Sequence, residues 1–132
     1  VLVDDCVDMF NPKVVRSTAG SLFHLPILTM GTDDFFAWCD THELAVYAAD
    51  VYGTDSRQPE SLTDVIAAPE TLAGAKAVLF GNEARGLTKE VLERTDRIVS
   101  IPLYGKAESL NLGTSSAVML LSLAMSSHVE RM

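Results

Sequence analysis

Short apolar runs alternate with segments of helical period along the whole chain, and this predicts an α/β domain. The sheet should be mostly parallel, with helices on both faces. Two further observations fit this class. The length of 132 residues suits one domain, here taken as residues 1–132. Apolar residues make up 48% and charged residues 21%, the ordinary balance of a folded soluble protein.

The elements follow in order. Val1–Val3 is an apolar run that reads as a strand. Asn11-Pro12 opens a helix, because Asn caps and Pro suits a first turn whose N–H needs no partner. Val14, Val15 and Ala19 should face inward, with Lys13 and Arg16 on the opposite side and Gly20 near the end. Leu25–Met30 reads as a second strand. Thr32 is the expected cap of the next helix, with Asp33 and Asp34 in the first turn, where the helix dipole favours anions. Phe35, Phe36 and Cys39 form its buried stripe. Leu44–Ala49 is a third strand.

Residues 50–75 are weakly patterned, with Gly53, Pro59 and Pro69 as breakers, and read as a surface loop plus a short helical turn. Lys76–Phe80 is a strand, and Thr88 caps a helix to about Thr95. Arg97–Ile101 is another strand, and the loop Pro102–Ser109 leads to a last helix from about Asn111 to His128. That helix is apolar or small nearly all round, which predicts burial with close backbone approach. No internal repeat or low-complexity segment is present.

The net charge of −8 at first argues against nucleic acid, but the charge is uneven. Residues 1–75 carry 12 acidic and 3 basic side chains, whereas residues 76–132 carry 6 acidic and 7 basic ones. Most phosphate affinity for any bound RNA would therefore come from elsewhere, with local contacts from this chain. Cys6 and Cys39 lack metal-like spacing and read as reduced, which points to the cytoplasm. His24, His42 and His128 are scattered, so no metal site is expected. No apolar run is long enough for a membrane span. The chain opens on a strand with no initiator Met and no signal sequence, as expected for a fragment or a cleaved product.

Two segments carry the chemistry. In Gly81-Asn82-Glu83-Ala84-Arg85-Gly86-Leu87, two glycines bracket polar residues directly after a strand. Read locally, this is either a strand-to-helix turn with solvated Glu83 and Arg85 or a loop built for close ligand approach. It is neither a dinucleotide fingerprint nor a P-loop, because both spacings are missing. In Ile101-Pro102-Leu103-Tyr104-Gly105-Lys106-Ala107-Glu108-Ser109-Leu110-Asn111, Ser109 and Asn111 flank Leu110 just before a helix. That is either a helix cap with an anchoring Leu or a loop whose backbone grips an adenine between Ile101 and Leu110. Both loops leave the carboxyl ends of strands, where open α/β sheets bind ligands.

Together these segments resemble two sequence motifs of SpoU/TrmH-type RNA 2′-O-methyltransferases, members of the SPOUT superfamily. Asn11–Gly20 followed by Leu22–Pro26 also looks like that family's middle helix and strand, so the resemblance covers essentially the whole chain. It implies an α/β domain with a carboxyl-terminal trefoil knot, S-adenosylmethionine as cofactor, and a homodimer with its active site at or near the subunit interface. It places cofactor contacts at Gly81, Ile101 and Leu110, with Leu103 as a neighbour, and puts Glu83, Ser109 and Asn111 at the catalytic cleft.

The reaction it implies is methyl transfer to a ribose 2′-hydroxyl of RNA, with ribosomal RNA favoured over transfer RNA. Arg85 and Lys106, in the two loops, are candidates for phosphate contact. Lys13 and Arg16 form a strip that faces either RNA or a second subunit. Tyr104 sits where a base can stack on it, whereas Trp38 reads as helix packing. A 2′-hydroxyl needs a proton acceptor and a fixed approach. The family's Asn-x-Gly-x-x-x-Arg motif, which brings an Arg to that hydroxyl, is absent here, so the chain is expected to keep the cofactor pocket but to be inactive alone. The alternative is a non-catalytic RNA-binding or dimerisation module with a vestigial cofactor site.

Overall fold

Apolar β-branched and aromatic residues fill the central strands, and their period of two decides which helix covers which face. The computed structural model describes all residues except Asp5, Val7, Leu72, Glu83 and residues 129–132. The chain divides into two compact units, residues 1–41 and 42–132.

In the first unit, β1 (Leu2–Val3) pairs in parallel with β2 (Thr29–Met30). Between them lie α1 (Pro12–Ser17) and a short 3-10 turn, Ser21–Phe23. The Asn11 side chain accepts from the Lys13 amide at 3.0 Å, so the expected cap is present. The helix stops sooner than its apolar spacing suggested. Ala19 and Gly20 both take positive φ, +49° and +90°, and Ala19 is exposed rather than inward-facing. The strand expected over Leu25–Met30 shrinks to its last two residues, and Leu25 is 72% exposed.

Helix α2 (Thr32–Thr41) buries Phe35, Phe36 and Cys39, as expected. Its cap differs from the expectation. Thr32 is the first helical residue, and its amide and hydroxyl both donate to the Asp4 carboxylate. A side chain 28 residues away thus serves the first orphan amide of the helix, in place of a cap from Thr32 itself.

The second unit holds a parallel sheet of order β4-β6-β3-β5: β3 (Ala45–Ala49), β4 (Glu60–Ser61), β5 (Lys76–Phe80) and β6 (Arg97–Ser100). Its helices are α3 (Leu62–Ala67), α4 (Lys89–Arg94) and α5 (Leu112–His128). Tyr47 and Val99 point to one face, where they join Leu62 and Val65 of α3 and Met119 and Leu123 of α5. Ala48 and Ile98 point to the other face and meet Leu92 of α4. Helices therefore cover both faces of this sheet. Full burial of a Leu or Val contributes roughly 1.5–3 kcal/mol, so these two clusters are what hold the sheet in place.

Two expectations fail here. Residues 50–75 are more than a surface loop: Glu60–Ser61 adds the edge strand, and Thr54, Leu62, Val65 and Thr71 are buried. Helix α5 is not buried all round. Only Met119 and Leu123 are buried, while Leu120, Leu121 and Met125 are 49%, 59% and 63% exposed. The sheet offers α5 one stripe of contact, and the rest of its apolar surface is left in solvent. No helix among the described residues is long and apolar enough to cross a membrane.

Candidate functional site

The carboxyl ends of β3, β5 and β6 open into a cavity of about 800 Å³. This lies within the range of small-molecule sites, roughly 300–1,000 Å³. Three loops wall it, and two of them are those singled out in the sequence.

The first wall follows β5. The Asn82 side-chain oxygen accepts from the Arg85 amide at 2.6 Å, and the Asn82 carbonyl accepts from the Gly86 amide at 2.9 Å. Gly86 takes φ +64°, which returns the chain toward its start. The turn is tight enough that a Cβ on Gly81 would lie 2.4 Å from the Gly86 carbonyl carbon and 2.6 Å from the Leu87 nitrogen. Backbone on backbone leaves no room to yield, so Gly81 is required by its own loop. Thr88 then caps α4, its hydroxyl accepting from the Val91 amide at 3.3 Å.

The second wall follows β6. Ile101, Leu103, Ser109, Leu110 and Asn111 all line the cavity. The Asn111 side-chain oxygen accepts from the Gly113 and Thr114 amides at 2.8 and 3.3 Å, and its carbonyl accepts from Ser115. Asn111 is therefore the cap of α5. Because its oxygen is engaged there, its amide N–H₂ is the group it can offer to the cavity.

The third wall, Asp50–Gly53 after β3, was missed in the sequence. The Asp50 carboxylate accepts from the Tyr52 and Gly53 amides at 3.0 and 2.7 Å. The Asp50 amide donates to the Val99 carbonyl at 3.1 Å. The signal was available: β3 is a buried parallel strand, and the rule that ligands sit beyond strand carboxyl ends applies to it equally.

Gly81, Arg85, Ile101, Leu103, Ser109, Leu110 and Asn111 thus share one cavity. Glu83 lies outside the described residues. Lys106 is exposed in the β6 loop and is not part of the cavity wall, and Tyr104 is 87% exposed. Arg16 is exposed on α1 in the first unit. Lys89 adds a second cation to the cavity wall beside Arg85. Chemically, the site combines apolar surfaces at Ile101, Leu103, Leu110 and Met119 with polar groups at Asp50, Asn82, Ser109 and Asn111. It suits a ligand with a flat apolar part and a charged end.

The model of the SpoU rRNA Methylase family matches residues 1–121. The chain belongs to the SpoU rRNA methylase family. Among its curated SpoU relatives is the 23S rRNA (guanosine(2553)-2′-O)-methyltransferase RlmP of Bacillus subtilis, 33% identical over 120 residues, covering 91% of this chain and 44% of the relative. Another is the 23S rRNA (uridine(2479)-2′-O)-methyltransferase of Streptomyces viridochromogenes, 31% identical over 121 residues, covering 91% of this chain and 40% of the relative. The AdoMet-bound rRNA methyltransferase from Sinorhizobium meliloti superposes with a TM-score of 0.79 at 31% identity, covering 94% of this chain and 44% of that one. This SpoU chain spans less than half the length of the curated relatives named here.

Proposed function

We propose that the protein transfers a methyl group from S-adenosylmethionine to a ribose 2′-hydroxyl of ribosomal RNA. The observation that carries this reading is the single cavity that brings Gly81, Ile101 and Leu110 together at the carboxyl ends of β5 and β6. The ribosomal assignment is supported by two relatives named as 23S rRNA 2′-O-methyltransferases.

The lining fits the cofactor. Ile101, Leu103 and Leu110 would enclose the adenine, and polar groups of the β3 and β5 loops would meet its ribose and amino-acid end. Bound there, S-adenosylmethionine supplies an electrophilic sulfonium methyl. The chain's own residues exclude water from one side of the site and offer hydrogen bonds from Ser109 and the Asn111 amide. Both residues flank Leu110, so they lie beside the cofactor region rather than across the cavity. Arg85 and Lys89 would meet RNA phosphate at its rim, with Lys106 as an outer contact. In the first unit, Lys13 and Arg16 of α1 are proposed as a separate strip for RNA or a second subunit. Glu83 is proposed as a cleft residue on the family resemblance alone.

The trefoil knot and the homodimer belong to the same proposal. The knot is proposed on the family resemblance. The exposed face of α5, carrying Leu120, Leu121 and Met125, supports the dimer, because interface cores are apolar.

The test is an assay of the full-length protein with tritiated S-adenosylmethionine and unmodified ribosomal RNA. Label recovered in 2′-O-methylribose is the expected result. Label in a base, or none from protein that binds the cofactor, would end the proposal.

A further inference from the structure

We propose that Arg57 is a positioning residue for the cofactor cavity: its guanidinium clips the β3 loop to the end of α4 and so fixes the wall formed by Asp50–Gly53. The proposal rests on reading the cavity as an S-adenosylmethionine site.

Arg57 does not line the cavity. Its Nη1 donates to the Leu92 and Thr95 carbonyls at 2.8 and 2.9 Å, and its Nη2 donates to the Asp96 carbonyl at 3.1 Å. Carbonyls at the end of a helix favour a cation, although the Leu92 carbonyl also accepts from the Thr95 amide and hydroxyl at 3.2 and 2.7 Å. One planar fork therefore serves the end of α4 and the start of β6 together, which a Lys cannot match.

The clip reaches the cavity through a short, closed stretch of chain. The Thr54 amide donates to the Arg57 carbonyl at 2.9 Å, and the Arg57 amide donates to the Thr54 hydroxyl at 3.1 Å. Gly53 is pressed against this turn, so closely that a Cβ there would lie 2.3 Å from the Arg57 oxygen. The other end of the wall is tied to β6 by the Asp50 amide. The wall is thus held at both ends: the Asp50 carboxylate gathers the Tyr52 and Gly53 amides at one, and the Arg57 guanidinium ties the other to α4 and β6. Two weaker ties run beside it: Ser56 donates to Glu93 at 3.0 Å, and the exposed Lys89–Asp55 pair stands 3.7 Å apart. Such exposed pairs hold little. Leu92, whose carbonyl Arg57 grips, itself lines the cavity.

The test uses Arg57→Met and Arg57→Lys in the full-length protein. Without the fork, the cofactor must order its own wall on binding, which weakens binding without altering the chemical step. The expected KM for S-adenosylmethionine rises about tenfold in Arg57→Met and about threefold in Arg57→Lys, while kcat at saturating cofactor stays within about twofold. Amide exchange at Tyr52 and Gly53 should speed up in both variants while exchange in β5 does not change. A merely structural role would lower kcat and folded protein together and leave the ratio of KM values near one. That outcome, or an unchanged KM with unchanged exchange, overturns the proposal. If Arg57→Met does not fold, Arg57→Lys decides alone by the same KM and exchange criteria. Failure of the wild-type protein to bind S-adenosylmethionine overturns the reading of the cavity, and this proposal with it.

Discussion

The β3 loop and the β6 loop wall the same cavity and are built in opposite ways. Residues 50–57 form a knit of backbone and side-chain hydrogen bonds, with Thr54 buried and Arg57 gripping three carbonyls. Residues 102–110 form no regular structure, Tyr104 is 87% exposed, and Gly105 takes φ +100°. The difference is one of restraint: a hydrogen-bonded knit presets one wall, while the other is an irregular, exposed loop and so the more adaptable of the two. It also separates what a sequence displays from what a fold uses. The adaptable loop carries the recognisable residues, and the preset loop carries none that stood out.

The comparison can be broken most directly at Gly81, in the loop after the edge strand β5. Gly81→Ala forces a Cβ into the Gly86–Leu87 backbone. Overpacking of this kind costs about 1–3 kcal/mol, and because the whole loop must shift, calorimetry should find S-adenosylmethionine binding lost altogether. On the preset side, Gly53→Ala combines φ +69° with the contact to the Arg57 oxygen. Its expected effect is a stability loss of about 1–3 kcal/mol, seen as a lower urea midpoint at constant slope.

On the adaptable side, Leu110→Ala should weaken cofactor binding about tenfold while leaving the urea midpoint almost unchanged, because Leu110 is only half-buried. Asn111 then sharpens the division between cap and catalysis. Asn111→Ala should cost about 1 kcal/mol through the lost cap. Asn111→Asp should restore the midpoint, since Asp caps equally well, yet not restore methyl transfer, because it cannot donate the amide hydrogen.

The smallest expected effect is at Glu93, beside the β3 loop. Hydrogen bonds from the Thr54 and Ser56 hydroxyls, helped by Arg57 and partly opposed by burial, hold its carboxyl below the usual carboxylate range. A depressed acid binds fewer protons when folded. Its contribution is therefore present above the unfolded pKa and lost as pH falls through the folded one. Glu93→Gln should slightly flatten the acid limb of a stability–pH curve by removing a small contribution present at neutral pH, and leave stability below the folded pKa unchanged.

Much of the fold was legible because local rules governed it. The strand Lys76–Phe80 falls where its apolar run falls, and Asn11 and Thr88 cap the helices they precede. What escaped depended on distant partners. Asp4 caps α2 from 28 residues away, and no local pattern encodes that. The edge strand Glu60–Ser61 is two polar residues long and exists because β6 offers it a partner at Val99 and Ser100. The α5 helix was over-read because apolar character reports what a surface can bury, not what the rest of the chain covers. Of the residues that wall the cavity, Gly81, Ile101, Leu103, Ser109, Leu110 and Asn111 were legible because their types and spacing match a family pattern. Asp50–Gly53 and Arg57 were missed because their side chains bind backbone amides and carbonyls, some of them distant in sequence, and such partners leave no local pattern.

The most direct measurement is a titration of the protein with S-adenosylmethionine followed by backbone amide NMR. Saturable shifts concentrated at Gly81, Ile101 and Leu110, with smaller shifts at Tyr52 and Gly53, are the expected outcome. Saturable binding whose shifts leave those five residues unmoved, or no shifts at millimolar cofactor, would contradict the assignment of this cavity to the methyl donor.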